Sequence, residues 1–112
     1  MRVTPRPAKK PSKYKNVKKI VDNIEFHSTK EANRYIQLKI LFRAGEIFDL
    51  AIQPEFPFYI DGKKIFTYKA DFSYTEKTGA TTVEDVKGMK TPLYRLKRKL
   101  TEAQHKIRIT ET

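Results

Sequence analysis

The sequence predicts a mixed α/β domain, in which two helices pack against a β-sheet, preceded by a basic arm. Two segments place apolar residues at helical spacing, and each begins with a residue that is favoured as a helix cap. Between and after them lie short β-branched and aromatic runs separated by turn signals. A chain of 112 residues is long enough for one domain with a modest core.

Residues 1–15 are the predicted arm, and residues 16–112 are the predicted domain. Eight of the first nineteen residues are Lys or Arg and none is acidic, so the N-terminus carries most of the net charge of +11. The arm is rich in Pro and Lys and has no apolar periodicity, and we expect it to be disordered. A basic arm on a nearly balanced domain is typical of proteins that bind nucleic acid. A solvated tail that aids solubility is the alternative.

The composition excludes several kinds of site. The chain has no Cys, which excludes disulfides, zinc–cysteine sites and cysteine nucleophiles. The two histidines, His27 and His105, have no partners at metal-ligand spacing. No apolar run approaches the roughly 18 residues that a membrane-spanning helix needs, and no secretory signal follows the basic N-terminus. We therefore expect a soluble cytoplasmic protein without membrane contact.

The first predicted elements are a short hairpin and a helix. Val17–Phe26 has two apolar runs around a turn signal, which indicates two short strands. Ser28 and Glu31 have the spacing of a capping box, in which each side chain binds a backbone amide at the start of a helix. We expect the helix to continue to about Ala44, where Gly45 would end it.

The middle of the chain predicts strands at Ile47–Ile52, Phe56–Ile60, Ile65–Tyr74 and Thr81–Lys87. Tight turns between the last three predict an antiparallel three-stranded meander. Thr91 is then a good helix cap before a second helix that reaches about His105, and Ile107–Ile109 closes the chain as a strand. We expect a mixed sheet flanked by the helices.

Asp71, Asp85 and Lys87 are the residues most suited to chemistry. Side chains alternate along a strand, so Asp85 and Lys87 should point the same way, and a hairpin would place Asp71 beside them. Two converging carboxylates can hold Mg²⁺, with Mn²⁺ as a substitute, and the ammonium can neutralise phosphate or orient a water. These groups together supply what phosphodiester hydrolysis requires.

Two acidic residues near this predicted site leave alternatives open. Glu31 would add a third acidic contact, directly or through water, although its capping role also explains it. Glu84 would face the metal instead of Asp85 if a β-bulge shifted the register by one residue. Asp85 is preferred because it shares a strand face with Lys87.

Six further residues are candidates for substrate contact: Gln53, Lys69, Tyr94, Arg95, Lys97 and Arg98. Those on the second helix closely follow Lys87 in sequence, which favours contact with a DNA backbone and hence affinity without sequence specificity. A solvated helix face, a strand-start hydrogen bond at Gln53 and a core position for Tyr94 are the alternatives.

These elements and residues resemble the PD-(D/E)XK nuclease superfamily, over roughly residues 14–110. Its core is a helix, three strands, a helix and a strand, a restriction-endonuclease-like arrangement. It carries Glu on the first helix, Asp on the second strand and D/E-x-K on the third. The matching catalytic positions here are Glu31, Asp71, Asp85 and Lys87, with Asp71 and Asp85 as metal ligands. Asp85 stands where the superfamily more often has Glu.

Shorter segments are similar to a phage-encoded family of small uncharacterised proteins: residues 14–16, 26–28, 31–32, 53–54, 70–72 and 83–88. The run from Gln53 to Lys87 is also similar to TnsA-like transposon-end endonucleases. The resemblance implies Mg²⁺-dependent cleavage of DNA in a bacterial host, in phage replication, recombination or processing. A homodimer or a partner subunit stays open. The alternatives are a nucleic-acid-binding accessory protein without turnover and a protein-interaction module.

Overall fold

The computed structural model describes residues 19–86 and 90–112. Its elements are β1 (Lys19–Val21), β2 (Ile24–Phe26), α1 (Thr29–Arg43), β3 (Ile47–Ile52), β4 (Glu55–Ile60), β5 (Lys63–Lys69), β6 (Phe72–Glu76), β7 (Thr81–Asp85), α2 (Pro92–His105) and β8 (Ile109–Glu111). The predicted arm and Lys87 lie outside the described residues. None of the described helices is long and apolar enough to cross a membrane.

The main sheet contains four strands in the order β3-β6-β7-β8. β6 runs antiparallel to both β3 and β7, whereas β8 runs parallel to β7. A parallel neighbour requires a crossover connection, and α2 supplies it between β7 and β8. The predicted mixed α/β fold, with a mixed sheet and two helices, is confirmed.

The predicted meander is present, but the prediction of which strands form it was wrong. Among the described strands, β4 and β5 pair with each other alone, as a separate two-stranded sheet, so the meander consists of β3, β6 and β7. The predicted strand Ile65–Tyr74 is therefore two strands that belong to different sheets. The break lies at Ala70, whose N–H donates to the Pro54 carbonyl at 3.0 Å, and at Asp71, whose carbonyl accepts from the Gln53 N–H at 2.8 Å. These bonds satisfy the backbone across the base of the hairpin and let the chain change sheets.

The helix α1 begins and ends where the sequence predicts. The Ser28 hydroxyl accepts a hydrogen bond from the Glu31 N–H at 3.1 Å, as the capping box requires. At the other end Gly45 adopts φ +79°, and its N–H donates to the Phe42 carbonyl at 3.1 Å. A left-handed residue after the last turn is the usual way to satisfy the free carbonyls of a helix. Glu31 is thereby fixed in the first turn.

Two apolar clusters cover different parts of the main sheet. The first joins α1 to the sheet through buried residues that include Phe26, Leu38 and Phe72. The second contains Tyr68, Ala70, Val83 and Ile109, with Tyr94 of α2 packed against it. β7 thus has packed side chains on both of its faces, and Glu84 and Asp85 are buried although both are acidic. This packing on both faces of β7 fixes the directions of the Glu84 and Asp85 side chains near the candidate site.

Replacing Ser28 by Ala is expected to lower the free energy of unfolding by about 1 kcal/mol, because an N-cap acceptor is lost. Chemical denaturation followed by circular dichroism measures the change. Ser28→Thr is the matched control, since it retains a hydroxyl acceptor and should lose much less. An equal loss in both variants would contradict the capping role.

Candidate functional site

A cleft of about 430 Å³ lies where the start of α1 meets the break between β5 and β6 and the end of β7. It is lined by His27, Ser28, Glu31, Gln53, Lys69, Asp71 and Val86. Four of the predicted site residues therefore come together, namely Glu31, Gln53, Lys69 and Asp71. We call this site the acidic cleft, because Glu31 and Asp71 both line it.

Glu31 reaches the acidic cleft from the first turn of α1. Its side chain is only 5% exposed, and its Oε1 accepts a hydrogen bond from the His27 N–H at 3.3 Å. This bond, together with the Ser28 cap, orients the carboxylate along the wall of the cleft. Capping and a position in the site therefore coexist at this residue.

Asp71 is held at the point where β6 and β7 separate. Its Oδ2 accepts a hydrogen bond from the Val86 N–H at 2.6 Å, and its own N–H donates to the Glu84 carbonyl at 3.0 Å. The backbone of β7 thus orients the carboxylate that lines the cleft.

Asp85 lies outside the acidic cleft. Its side chain is fully buried, and its Oδ2 accepts a hydrogen bond from the Tyr68 hydroxyl. Burial raises the pKa of Tyr68 far above its ordinary value, and the hydrogen bond to Asp85 raises it further, so the phenol stays a donor. Asp71 lines the cleft and Asp85 is held beside Tyr68, and their joint role as metal ligands stays a prediction. Within residues 19–86 and 90–112, no group of three or more His, Cys, Asp or Glu side chains could hold a metal ion.

Glu84 points to the other face of β7 and is also outside the acidic cleft. Arg34 Nε and Nη2 donate to its two oxygens at 2.8 and 2.6 Å, and the Tyr74 hydroxyl donates to Oε2. Burial alone would raise the pKa of Glu84, but the hydrogen bonds from Arg34 and Tyr74 outweigh it and hold the pKa below its ordinary value. Burial, aided by Glu84, raises the pKa of Tyr74 to about 12.

The register of β6 and β7 explains the opposite orientations of these two acids. Phe72 pairs with Glu84 and Ser73 with Val83, without a bulge between the strands. Successive side chains of a regular strand point to opposite faces. Glu84 therefore faces α1, while Asp85 faces Tyr68 and α2. The bulge that would have turned Glu84 toward a metal is not found in this pair of strands.

Lys69 connects the acidic cleft with the start of α2. It is exposed and lines both the cleft and a neighbouring groove, to which Tyr94 and Lys97 also contribute. Lys97 lies over the ring of Phe66, with its ammonium 5.4 Å from the ring centroid. Lys69 and Lys97 thus form a basic margin on one side of the acidic cleft.

The other candidates on α2 surround Glu111. The Tyr94 hydroxyl donates to Glu111 Oε2 at 2.8 Å, and Arg98 Nη1 lies 3.4 Å from the same oxygen. Lys90 and Arg95 line the adjoining groove with Arg98. Hydrogen bonds from Lys90 and Tyr94 hold the pKa of Glu111 below its ordinary value. These contacts give Tyr94 and Arg98 structural partners, while Arg95 remains exposed on the groove.

The sequence did not predict that Glu84 binds Arg34 or that Asp85 binds Tyr68. Arg34 lies 50 residues from Glu84, and Tyr68 lies 17 residues from Asp85. Neither spacing has a local signature. By contrast, the place of Ser28 on the cleft follows from the capping box, because the cap lies at the same helix end as Glu31.

These observations define the class of protein: a mixed α/β domain with an acidic cleft at the end of its central strands. The chain belongs to the family described as "Protein of unknown function (DUF1064)", whose model matches residues 11–111. No curated protein and no solved structure matches it. Membership of a family of unknown function agrees with the resemblance to small uncharacterised proteins, and their phage origin stays a prediction. The likeness to PD-(D/E)XK nucleases and to TnsA-like endonucleases stays a prediction.

Proposed function

We propose that the protein is a Mg²⁺-dependent endonuclease that hydrolyses DNA phosphodiester bonds at the acidic cleft. The observation that carries the proposal is the placement of Glu31 and Asp71 on one cleft, with Gln53 and Lys69 beside them. Carboxylate and ammonium groups on one open surface suit a metal ion and a phosphate together.

The donor set of the acidic cleft fits Mg²⁺. This ion prefers oxygen ligands and is usually held by one or two carboxylates together with waters and substrate phosphates. Glu31 and Asp71 would hold it, and Gln53 offers an amide oxygen on the same wall. When bound, the ion supplies a Lewis acid and a more acidic water. Mn²⁺ accepts the same ligands.

The protein's own groups would orient the substrate and balance its charge. Val86 fixes the Asp71 carboxylate through its N–H, so little reorganisation is needed when substrate binds. Lys69 at the margin of the cleft would neutralise charge on the scissile phosphate. Arg95 and Lys97 on α2 would contact the flanking backbone. Lys87 keeps its predicted role of orienting the attacking water.

The order of elements also supports the proposal. Along the chain, α1, β3, β6, β7, α2 and β8 follow the order helix, three strands, helix and strand, and the β4–β5 hairpin is inserted between the first two of these strands. This is the order of the PD-(D/E)XK core, with Asp71 directly before its second strand and Asp85 at the end of its third. We propose phage or prophage DNA in replication, recombination or processing as the setting.

The decisive experiment incubates the purified protein with plasmid, single-stranded, nicked and branched DNA, and with RNA, in Mg²⁺, Mn²⁺ or EDTA. We expect DNA products with either metal and none in EDTA. A nucleic-acid-binding protein without turnover would shift the mobility of these substrates but yield no product with either metal. That result would overturn the proposal.

Asp85 requires a separate test because it is buried, does not line the acidic cleft and accepts a hydrogen bond from Tyr68. We expect Asp85→Asn to lower the cleavage rate at least about tenfold, whereas Tyr68→Phe keeps it, since the phenylalanine leaves the carboxylate available. Cleavage rates across a Mg²⁺ titration measure both effects. Equal rates in Asp85→Asn and the wild type would show that Asp85 is not a metal ligand and that its role is the contact with Tyr68.

A further inference from the structure

A second groove, of about 390 Å³, adjoins the acidic cleft along α1. It is lined by Lys30, Asn33, Arg34, Gln37, Val86 and Thr112. Val86 lines both sites, so the groove and the acidic cleft are neighbours at the end of β7. We call it the α1 groove, because four of its residues are on one face of that helix.

Apart from Val86, the side chains that line the α1 groove can donate hydrogen bonds, and none of those in the described part of the chain is acidic. Lys30 and Asn33 are exposed. Because residues three and four apart share one side of a helix, Lys30, Asn33 and Gln37 form a continuous row. An ammonium beside two carboxamides is suited to anionic oxygens, and the acidic cleft next to it has the opposite charge.

Arg34 positions this row and contributes little charge of its own. Its Nε and Nη2 are bound to Glu84, and its Nη1 donates to Gln37 Oε1 at 2.9 Å. A carboxamide has one oxygen and one NH₂ group, so this bond occupies the acceptor of Gln37 and leaves both of its N–H donors for a ligand. The ionic contribution of the groove therefore comes from Lys30.

We propose that the α1 groove binds the sugar–phosphate backbone next to the phosphate that lies in the acidic cleft, with Lys30 and Gln37 contacting a flanking phosphate. The inference rests on the proposed function and extends it. A single nucleic-acid strand that runs from the α1 groove past Val86 to Lys69 meets donors, then the carboxylates, then donors again. This alternation suits one scissile phosphate between two neutralised neighbours.

The test measures the binding of fluorescent DNA in EDTA and, in parallel, in Ca²⁺, over a range of salt concentrations. Lys30→Gln is expected to weaken binding at least about fivefold and to reduce the slope of log K against log salt by about one, as loss of a phosphate contact should. Lys30→Glu should weaken it further, and an acid in the first turn of α1 does not endanger folding. Lys77→Gln is the matched control, since Lys77 is an exposed lysine in the loop after β6.

The inference is overturned if Lys30→Gln and Lys77→Gln show the same affinity and the same salt slope, or if the wild type binds no DNA. Cleavage is recorded separately with Mg²⁺. A reduced salt slope in a protein that never cleaves would support the α1 groove and reject the nuclease proposal. Cleavage by a protein whose salt slope is unchanged in Lys30→Gln would support the nuclease proposal and reject the α1 groove as a phosphate site.

Discussion

Asp71→Asn is expected to reduce DNA cleavage at least about a hundredfold while leaving the protein folded. Removing a metal ligand should cost more activity than removing a residue that only orients a ligand. The asparagine keeps the shape of the side chain and an oxygen for the Val86 N–H, which now donates to Oδ2 at 2.6 Å. It removes the negative charge from the acidic cleft. Initial rates of plasmid nicking across a Mg²⁺ titration measure the effect.

The matched control for this prediction is Asp61→Asn. Asp61 is exposed in the turn between β4 and β5, where φ is +49°, and asparagine before glycine is favoured in such a turn. The control removes the same charge away from the cleft and should cleave at the wild-type rate. Thermal melting should show both variants folded. Wild-type cleavage by Asp71→Asn would place the reaction elsewhere.

The order of elements could be predicted because its signals are local. The cap at Ser28 and the left-handed Gly45 mark the ends of α1, and the cap at Thr91, which accepts from the Tyr94 N–H at 3.0 Å, marks the start of α2. Each signal involves residues within one helical turn. The split of Ile65–Tyr74 was not predictable in this way, since it depends on pairing with Pro54 and Gln53.

The acidic cleft could be predicted only in part. Glu31 and Asp71 come together because a helix start and a strand junction meet at one end of the sheet. Asp85 was expected beside them because it shares a strand face with Lys87, yet its buried side chain does not line the cleft. Both faces of β7 are packed, so alternation alone cannot distinguish the face of Glu84 from that of Asp85. The register of β7 sets the opposite directions of the two acids, and contacts with Arg34 and Tyr68, which are distant in sequence, hold each one in place.

Replacing Arg34 by Met is expected to lower the free energy of unfolding by about 3 kcal/mol at neutral pH, because it leaves a buried carboxylate without its counterion. The Glu84 side chain is 3% exposed and binds Arg34 through both oxygens. Glu84→Gln is the comparison, since it removes the charge and keeps an acceptor for Tyr74. Combining the two changes should cost less than Arg34→Met alone. Chemical denaturation of the four proteins forms the double-mutant cycle.

The pH dependence of the free energy of unfolding in these variants tests whether the charge on Glu84 is responsible for the effect. In the wild type the pKa of Glu84 is below its ordinary value of 4.5, so its contribution is present above that pH and is lost as the pH falls through the folded-state pKa. The advantage of the wild type over Glu84→Gln should therefore shrink as the pH falls below 4.5. In Arg34→Met burial is no longer opposed by the guanidinium, so the pKa of Glu84 should rise and protonation should relieve the penalty as the pH falls. A penalty for Arg34→Met that stays constant from neutral pH into the acidic range would show that the lost packing of Arg34, and not the buried charge, destabilises the variant.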